Sequence, residues 1–388
     1  MPGGPKKWRR KVLLLGTAGA TMASMAIGLG GATVASAGTN GLQRAQQVVQ
    51  KYSGVPSKIG ITAMLPRRPK KGIKVILLDT GEASGLDLAA GFTQAAKALG
   101  WKPTILNYSA ADPGAAVQSA INEGYKYIAS ASISLASITP QVAEMKAKHI
   151  AFFESYENDV PRFKANALYG QASNPAQVVM EGKIIADQMI TDSGGGVNAL
   201  YVTLPLYPVL TAQGNAAAAE LARNCSNCTL TSLPITVQEF VGGQIPALVV
   251  GYLQSHPTTN YVYFAFQDMY PGVYAALQTA NLLGQVKLIG TEGEQAQLAD
   301  VLNGRDLAWS ILPENEVMWV VVDWMARLSE GVLTQKNMSE GNLPMYLANS
   351  KGLANLTIAN MAGNVPAGVW GGPTNYQIQF KKLWRVIK

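Results

Sequence analysis

At 388 residues the chain exceeds one ordinary domain and has room for two α/β lobes, each large enough to bury a core. With 48% hydrophobic and only 14% charged residues, a disordered chain is excluded. The net charge of +7 is no nucleic-acid signature. Five of the 31 basic residues stand in residues 1–37 beside no acidic one, which leaves 26 basic against 24 acidic elsewhere, too slight an excess to attract phosphate strongly.

The first 37 residues read as a targeting segment. Lys6, Lys7, Arg9, Arg10 and Lys11 precede an uncharged stretch of 23 residues, Val12 to Val34. Ala35-Ser36-Ala37 then gives the small-x-small pattern that signal peptidase accepts before Gly38. Export is the inference. Arg9-Arg10-Lys11-Val12-Leu13 also fits a loose twin-arginine pattern, so both general and folded-protein export stay open. The uncharged stretch is long enough to span a bilayer, and an uncleaved anchor is the alternative to cleavage; its Gly, Ala, Ser and Thr content weakens that reading. No Cys lies near the cut, which excludes lipid anchoring of the usual bacterial kind.

Residues 38–71 form an extension and linker: an amphipathic stretch (Leu42 to Tyr52), a short strand-like piece (Lys58 to Met64), and the basic, Pro-rich run Pro66 to Gly72, a solvated connector. One pattern then repeats. Apolar runs Val75 to Leu78, Thr104 to Leu106, Tyr127 to Ala129 and Ile150 to Phe153 alternate with helical segments Leu86 to Leu99, Pro113 to Asn122 and Ile138 to Lys148. After Asn174 it restarts, with strands Asn198 to Thr203, Leu230 to Ile235, Tyr261 to Ala265 and Lys287 to Gly290. Helices Pro175 to Ile190, Thr211 to Ala222, Ile245 to Ser255 and Gly272 to Leu283 alternate with them. Such alternation implies α/β architecture, parallel sheets with right-handed crossovers in two similar doubly wound halves. Open parallel sheets bind ligands beyond their carboxyl ends, so two facing halves enclose a shared cleft.

The only cysteines, Cys225 and Cys228, follow the Ala-rich helix and precede a Thr-rich strand. A redox centre needs a thioredoxin-like turn, so in an exported chain a structural disulfide is the better reading; two ligands make no zinc site.

At Ala265-Phe-Gln-Asp-Met269, Leu288-Ile-Gly-Thr-Glu-Gly293 and Ala308-Trp-Ser-Ile-Leu-Pro313 the chain resembles the type I periplasmic binding proteins of the ribose and galactose class. The resemblance covers roughly residues 72 to 350 and implies two lobes joined by a three-strand hinge, crossing near Ala172, Leu312 and Pro344. Lobe one would combine 72–172 with 313–343, and lobe two 173–312 with 344–351. Residues 352–388 form an extension whose apolar Tyr376 to Ile387 is expected to pack back as an added strand. The implied function is that of a monomeric receptor which captures a small molecule and presents it to an ABC permease in the membrane; an extracellular sensing subunit is the alternative. No cofactor, metal or nucleic-acid partner is implied.

Site residues transfer position by position. Glu82, in Glu82-Ala-Ser-Gly85, stands where the family has an aromatic pair, so one stacking wall is lost. Glu154-Ser155 replaces Asp-Arg, keeping the acid, and Gln213 replaces an Arg. Tyr207 sits in the adjacent strand-to-helix turn. Phe240 matches an aromatic that walls the ligand, and Gln267 and Glu292 take the places of the family's Asn and Asp. Asp268 is expected to cap the following helix or fix the turn. The family's late Gln becomes Ile311, with Trp309 close by as either a replacement ring or core. Losing its charged forks, the cleft is expected to suit a solute less polar or bulkier than a common sugar. Catalysis is not expected: His149 and His256, the only histidines, sit at helix ends, and no nucleophile elbow, phosphate loop or dinucleotide fingerprint is present. Glu154 and Glu292 as paired acids for glycoside hydrolysis find no support in the architecture.

Overall fold

In a computed structural model the described residues are 31–54, 56–311, 313–340, 345–352 and 375–388, with 31–39, 83, 339 and 340 described by backbone alone. The expected leader lies outside them up to residue 30, as do the hinge positions Leu312 and Pro344. The first helix, α1 (Gly31–Tyr52), runs through the expected cleavage site. Among the described residues no helix is long and apolar enough to cross a membrane.

β1 (Lys74–Asp79), β2 (Lys102–Asn107), β3 (Tyr127–Ala131), β4 (Ala151–Ser155) and β5 (Leu168–Ala172) form a parallel sheet in the order β2-β1-β3-β4-β5. Side chains alternate across it as strand geometry requires. Val75 and Leu77 face the cluster under α2 (Ala83–Leu99), and Ile76 and Leu78 face the one under α3 (Pro113–Asn122) and α4 (Thr139–Lys148). The second sheet, in the order β11-β10-β9-β8-β6-β7, contains β6 (Asn198–Thr203), β7 (Thr229–Pro234), β8 (Tyr261–Phe264), β9 (Lys287–Gly290), β10 (Asp306–Ile311) and β11 (Tyr346–Asn349). Its strands are parallel except β11, which runs antiparallel to β10. Strand order reverses at β1/β3 in one sheet and at β6/β8 in the other. These are the switch points where an open α/β sheet leaves a crevice at its carboxyl end.

Each lobe is tightened by one helix pair. α11 (Glu314–Ser329) packs on α2, and a Cβ at Gly91 would lie 2.3 Å from the Asn315 carbonyl oxygen. In lobe two α5 (Pro175–Ser193) meets α6 (Pro208–Asn224), where a Cβ at Gly182 would lie 2.3 Å from the Gln213 carbonyl oxygen. Any side chain at either glycine would force the helices apart. Cys225 and Cys228 form a disulfide at the turn between α6 and β7.

Both termini depart from the sequence reading. α1 docks on lobe two through Ala45 and Val49, with Arg44 Nε donating to Asn224 Oδ1 at 3.0 Å. Ile59, Ile61 and Leu65 then enter the core of lobe one. Residues 58–64 form no strand, because their polar groups bond to side chains and to the C-terminal helix instead of a neighbouring ladder. Ile59 N donates to Gln379 Oε1 at 3.1 Å, and Ala63 O accepts from Arg327 Nη2 at 2.7 Å. The connector from Pro66 to Gly72 is solvated as expected, with every residue but Pro69 exposed, and it is held at two points: Arg67 pairs with Glu330 at 2.6 Å, and Lys70 O accepts from Trp101 Nε1 at 2.9 Å. The tail is a helix (Tyr376–Leu383) and not an added strand. Tyr376, Phe380 and Leu383 recur at helical spacing, and with Trp384 they pack on the same lobe. The Trp384 and Trp319 rings stack at 5.3 Å. Trp384 Nε1 also donates to Asp323 Oδ1 at 2.7 Å, within the buried Asp323–Arg327 pair. Trp384→Ala is expected to cost about 3–5 kcal/mol in denaturant unfolding; a loss below about 1 kcal/mol would make the tail an appendage.

Candidate functional site

The carboxyl ends of the two sheets face each other across one cavity. About 460 Å³ of non-atom space, its open mouth included, is walled from lobe one by Thr80, Glu82, Ser84, Leu88, Ala131, Ser132, Tyr156 and Glu314, and from lobe two by Tyr207, Val209, Leu210, Phe266 and Glu292. Three of these residues lie one or two positions past a strand in left-handed backbone: Ser132 (φ 58), Tyr156 (φ 62) and Glu292 (φ 55). Non-glycine residues seldom adopt this conformation, and such strain is characteristic of sites where a side chain must be aimed.

Among the described residues, hydrogen bonds cross between the lobes at three places. Tyr207 OH donates to Glu82 Oε1 at 2.8 Å. Gln267 Nε2 donates to Glu314 Oε1 at 3.3 Å and, within lobe two, to Glu294 Oε1 at 3.1 Å. Ser84 N donates to Asp268 Oδ2 at 3.3 Å. Asp268 therefore caps α2 of the opposite lobe, not the helix that follows it. α2 needs this partner, since its own N-cap, Glu82, makes no side-chain cap.

The expected residues divide by depth. Glu82, Tyr207 and Glu292 are on the cavity wall, and Gln267 stands one bond behind it on Glu314. Glu154 is sealed beside Gln171, whose Nε2 donates to its Oε1 at 3.0 Å; the reversal at Tyr156 brings that tyrosine to the cavity in its place. Gln213 is buried between Tyr201 OH (2.9 Å) and Thr291 Oγ1 (3.1 Å), where it holds the turn that carries Glu292. Phe240 backs Phe266, ring centroids 5.8 Å apart. Trp309 is core: its Nε1 donates to Asp306 Oδ2 at 2.7 Å and its ring stacks on Phe264. The aromatic wall comes instead from Tyr156, Tyr207 and Phe266. Glu314 escaped the sequence reading although an acid directly after Ile311-Leu-Pro313, at a helix start, was a readable signal.

Carboxylates dominate the electrostatics. Burial, followed by the charge of Glu181, holds Glu292 well above the ordinary carboxylate range. Burial, followed by Glu292, does the same to Glu314. Glu294 is pushed up to about 8 by burial and then by Asp87 and Asp268. Asp87, Glu294 and Glu314 also place one oxygen each within 4.8 Å of one another. No Lys, Arg or His lines the cavity among the described residues.

A profile of the periplasmic binding protein domain matches residues 73–332. The chain belongs to the periplasmic binding protein family. Solved structures agree on the fold of this periplasmic binding protein. The 5-methylthioribose transporter solute-binding protein of Thermotoga lettingae is 16% identical, with TM-score 0.66 over 83% of this chain and 99% of that one. An ABC transporter solute-binding protein from Agrobacterium vitis with bound allitol is 17% identical, with TM-score 0.62 over 74% and 97%. The Caulobacter myo-inositol binding protein is 16% identical, with TM-score 0.62 over 76% and 99%. No curated protein matches the sequence significantly. The family consists of solute-binding proteins rather than enzymes, and the fold is its two-lobed type I form.

Because Glu294 keeps its proton in the folded chain at pH values where the unfolded chain has released it, the folded state binds more protons between the ordinary 4.5 and about 8. Stability is therefore expected to fall as pH rises through that window, with Glu294→Gln flattening the slope of Tm against pH. A Tm that climbs from pH 5 to 8 would contradict this assignment.

Proposed function

We propose that this chain is the exported, monomeric solute-binding subunit of an ABC-type importer, holding a small molecule between its lobes for delivery, unchanged, to a membrane permease. One observation carries the reading: the cavity wall is drawn from both lobes, and Tyr207–Glu82, Gln267–Glu314 and Asp268–Ser84 bond across it. A solute in that space touches both halves, so its binding energy favours the closed form, and closure is what a permease can distinguish. The basic leader and small-x-small cut at Ala35 to Ala37 support export. The solved structures of similar fold hold 5-methylthioribose, allitol and myo-inositol. Leu88, Val209, Leu210 and Phe266 give the cavity wall an apolar side for part of such a solute.

Native mass spectrometry of the purified chain is expected to show a small-molecule adduct that denaturation releases intact; recovery of a chemically converted product would overturn the non-enzymatic reading. Asp268→Ala removes the cap supplied across the cleft. It is expected to enlarge the radius of gyration of the solute-bound form and weaken binding about fivefold, the equivalent of about 1 kcal/mol. Unchanged affinity would show that the cap does not contribute to closure.

A further inference from the structure

We propose that the solute carries a protonated amine or another organic ammonium group, seated among Glu82, Glu292 and Glu314 with the rings of Tyr156, Tyr207 and Phe266 about it. This inference rests on the solute-binding reading and narrows its substrate class. The cavity wall holds three carboxylates and, among the described residues, no Lys, Arg or His. The charged groups acting on Glu82, Glu292, Glu294 and Glu314 are all further acids, so no basic side chain of the protein offsets them, and an added cation would favour their charged forms.

Glu314 is the independent sign of a ligand. It is only 7% exposed and lines the cavity, its Oε1 accepts from Gln267, and its Oε2 has no partner among the described residues. A carboxylate oxygen withdrawn from water calls for a donor, and a charged donor offsets the most. A neutral polyol would satisfy it less well. Its oxygens also need donors, and this wall offers hydroxyls but no cationic fork. An ammonium group gives each acid a charge-assisted hydrogen bond, and the aromatic faces add cation–π attraction.

The close approach of Asp87, Glu294 and Glu314 raises a bare metal ion as the competing occupant. The cavity argues against it. Only Glu314 is shared between the two groups, and Leu88, Val209, Leu210 and Phe266 offer a metal ion nothing, whereas they suit the carbon skeleton of an organic cation.

Isothermal titration of the full chain near neutral pH with matched pairs decides the question: glucosamine against glucose, glucamine against glucitol, and calcium chloride alone. The amine of a pair is expected to bind at least about tenfold tighter than its neutral partner. Glu314→Gln and Glu292→Gln are each expected to shrink that preference. Should either variant fail to fold, the pairs measured on the unaltered chain still decide. Equal or tighter binding of the neutral member, or no binding of either amine, would overturn the ammonium inference and leave the solute-binding reading standing. Calcium binding without amine binding would overturn it in favour of a metal site. If the copurified solute itself failed to compact the chain in small-angle scattering, the underlying solute-binding reading would fall as well.

Discussion

Strand direction is the constraint on which the rest of this structure depends. Within each sheet the core strands run parallel, so every carboxyl end is delivered to the same edge, and the helices that follow must begin there. Two such sheets, facing each other, bring the turns after β1, β3 and β4 opposite those after β6, β8 and β9. The cavity is the space these turns leave, and its wall residues are those just past the strand ends.

The same constraint explains how so many acids collect in one place. α2, α11 and α10 (Gln295–Leu302) all start at the cleft, each with unsatisfied amides and a positive dipole end. Asp268 caps α2 across the cleft, Glu314 opens α11, and Glu294 is the N-cap of α10 in a capping box with Gln297. These helix ends favour the charged form of the acids, against burial and mutual repulsion, which favour the neutral form. They do not outweigh burial, as the upward pressure on Glu292, Glu294 and Glu314 shows. The result is a cleft whose wall is short of positive charge.

What the sequence made legible follows from which forces are local. Strand and helix alternation from Val75 to Gly290 is periodic, and the architecture could be read from it. The place of Glu82, Tyr207 and Glu292 on the cavity wall was legible because they lie in turns just after recognisable strands. Glu154 was expected at the cleft and Tyr156 was not, because a left-handed residue reverses which side chain meets the cavity, and no residue type announces that in a tyrosine. Trp309 takes the core position that was one of its two readings, fixed by Asp306 at the start of the same strand, whereas Gln213 is buried because its partner Thr291 lies on a distant turn. The tail was read as a strand because its apolar residues were counted without their spacing. The spacing of Tyr376, Phe380 and Leu383 fits a helix, and Trp319, the surface that orders it, lies elsewhere in the chain. The segment before Lys74 looked like a free linker because its anchors, Leu383, Gln379 and Arg327, come more than 250 residues later.

Hydrogen–deuterium exchange of the full chain, with its copurified solute bound and after its removal, tests the central claim most directly. If the solute bridges the two lobes, exchange slows together in the turn from Thr80 to Gly85 and in the turn from Leu204 to Leu210. Protection of one turn without the other would mean that the solute does not span the cleft, and closure of the two lobes around it would be contradicted.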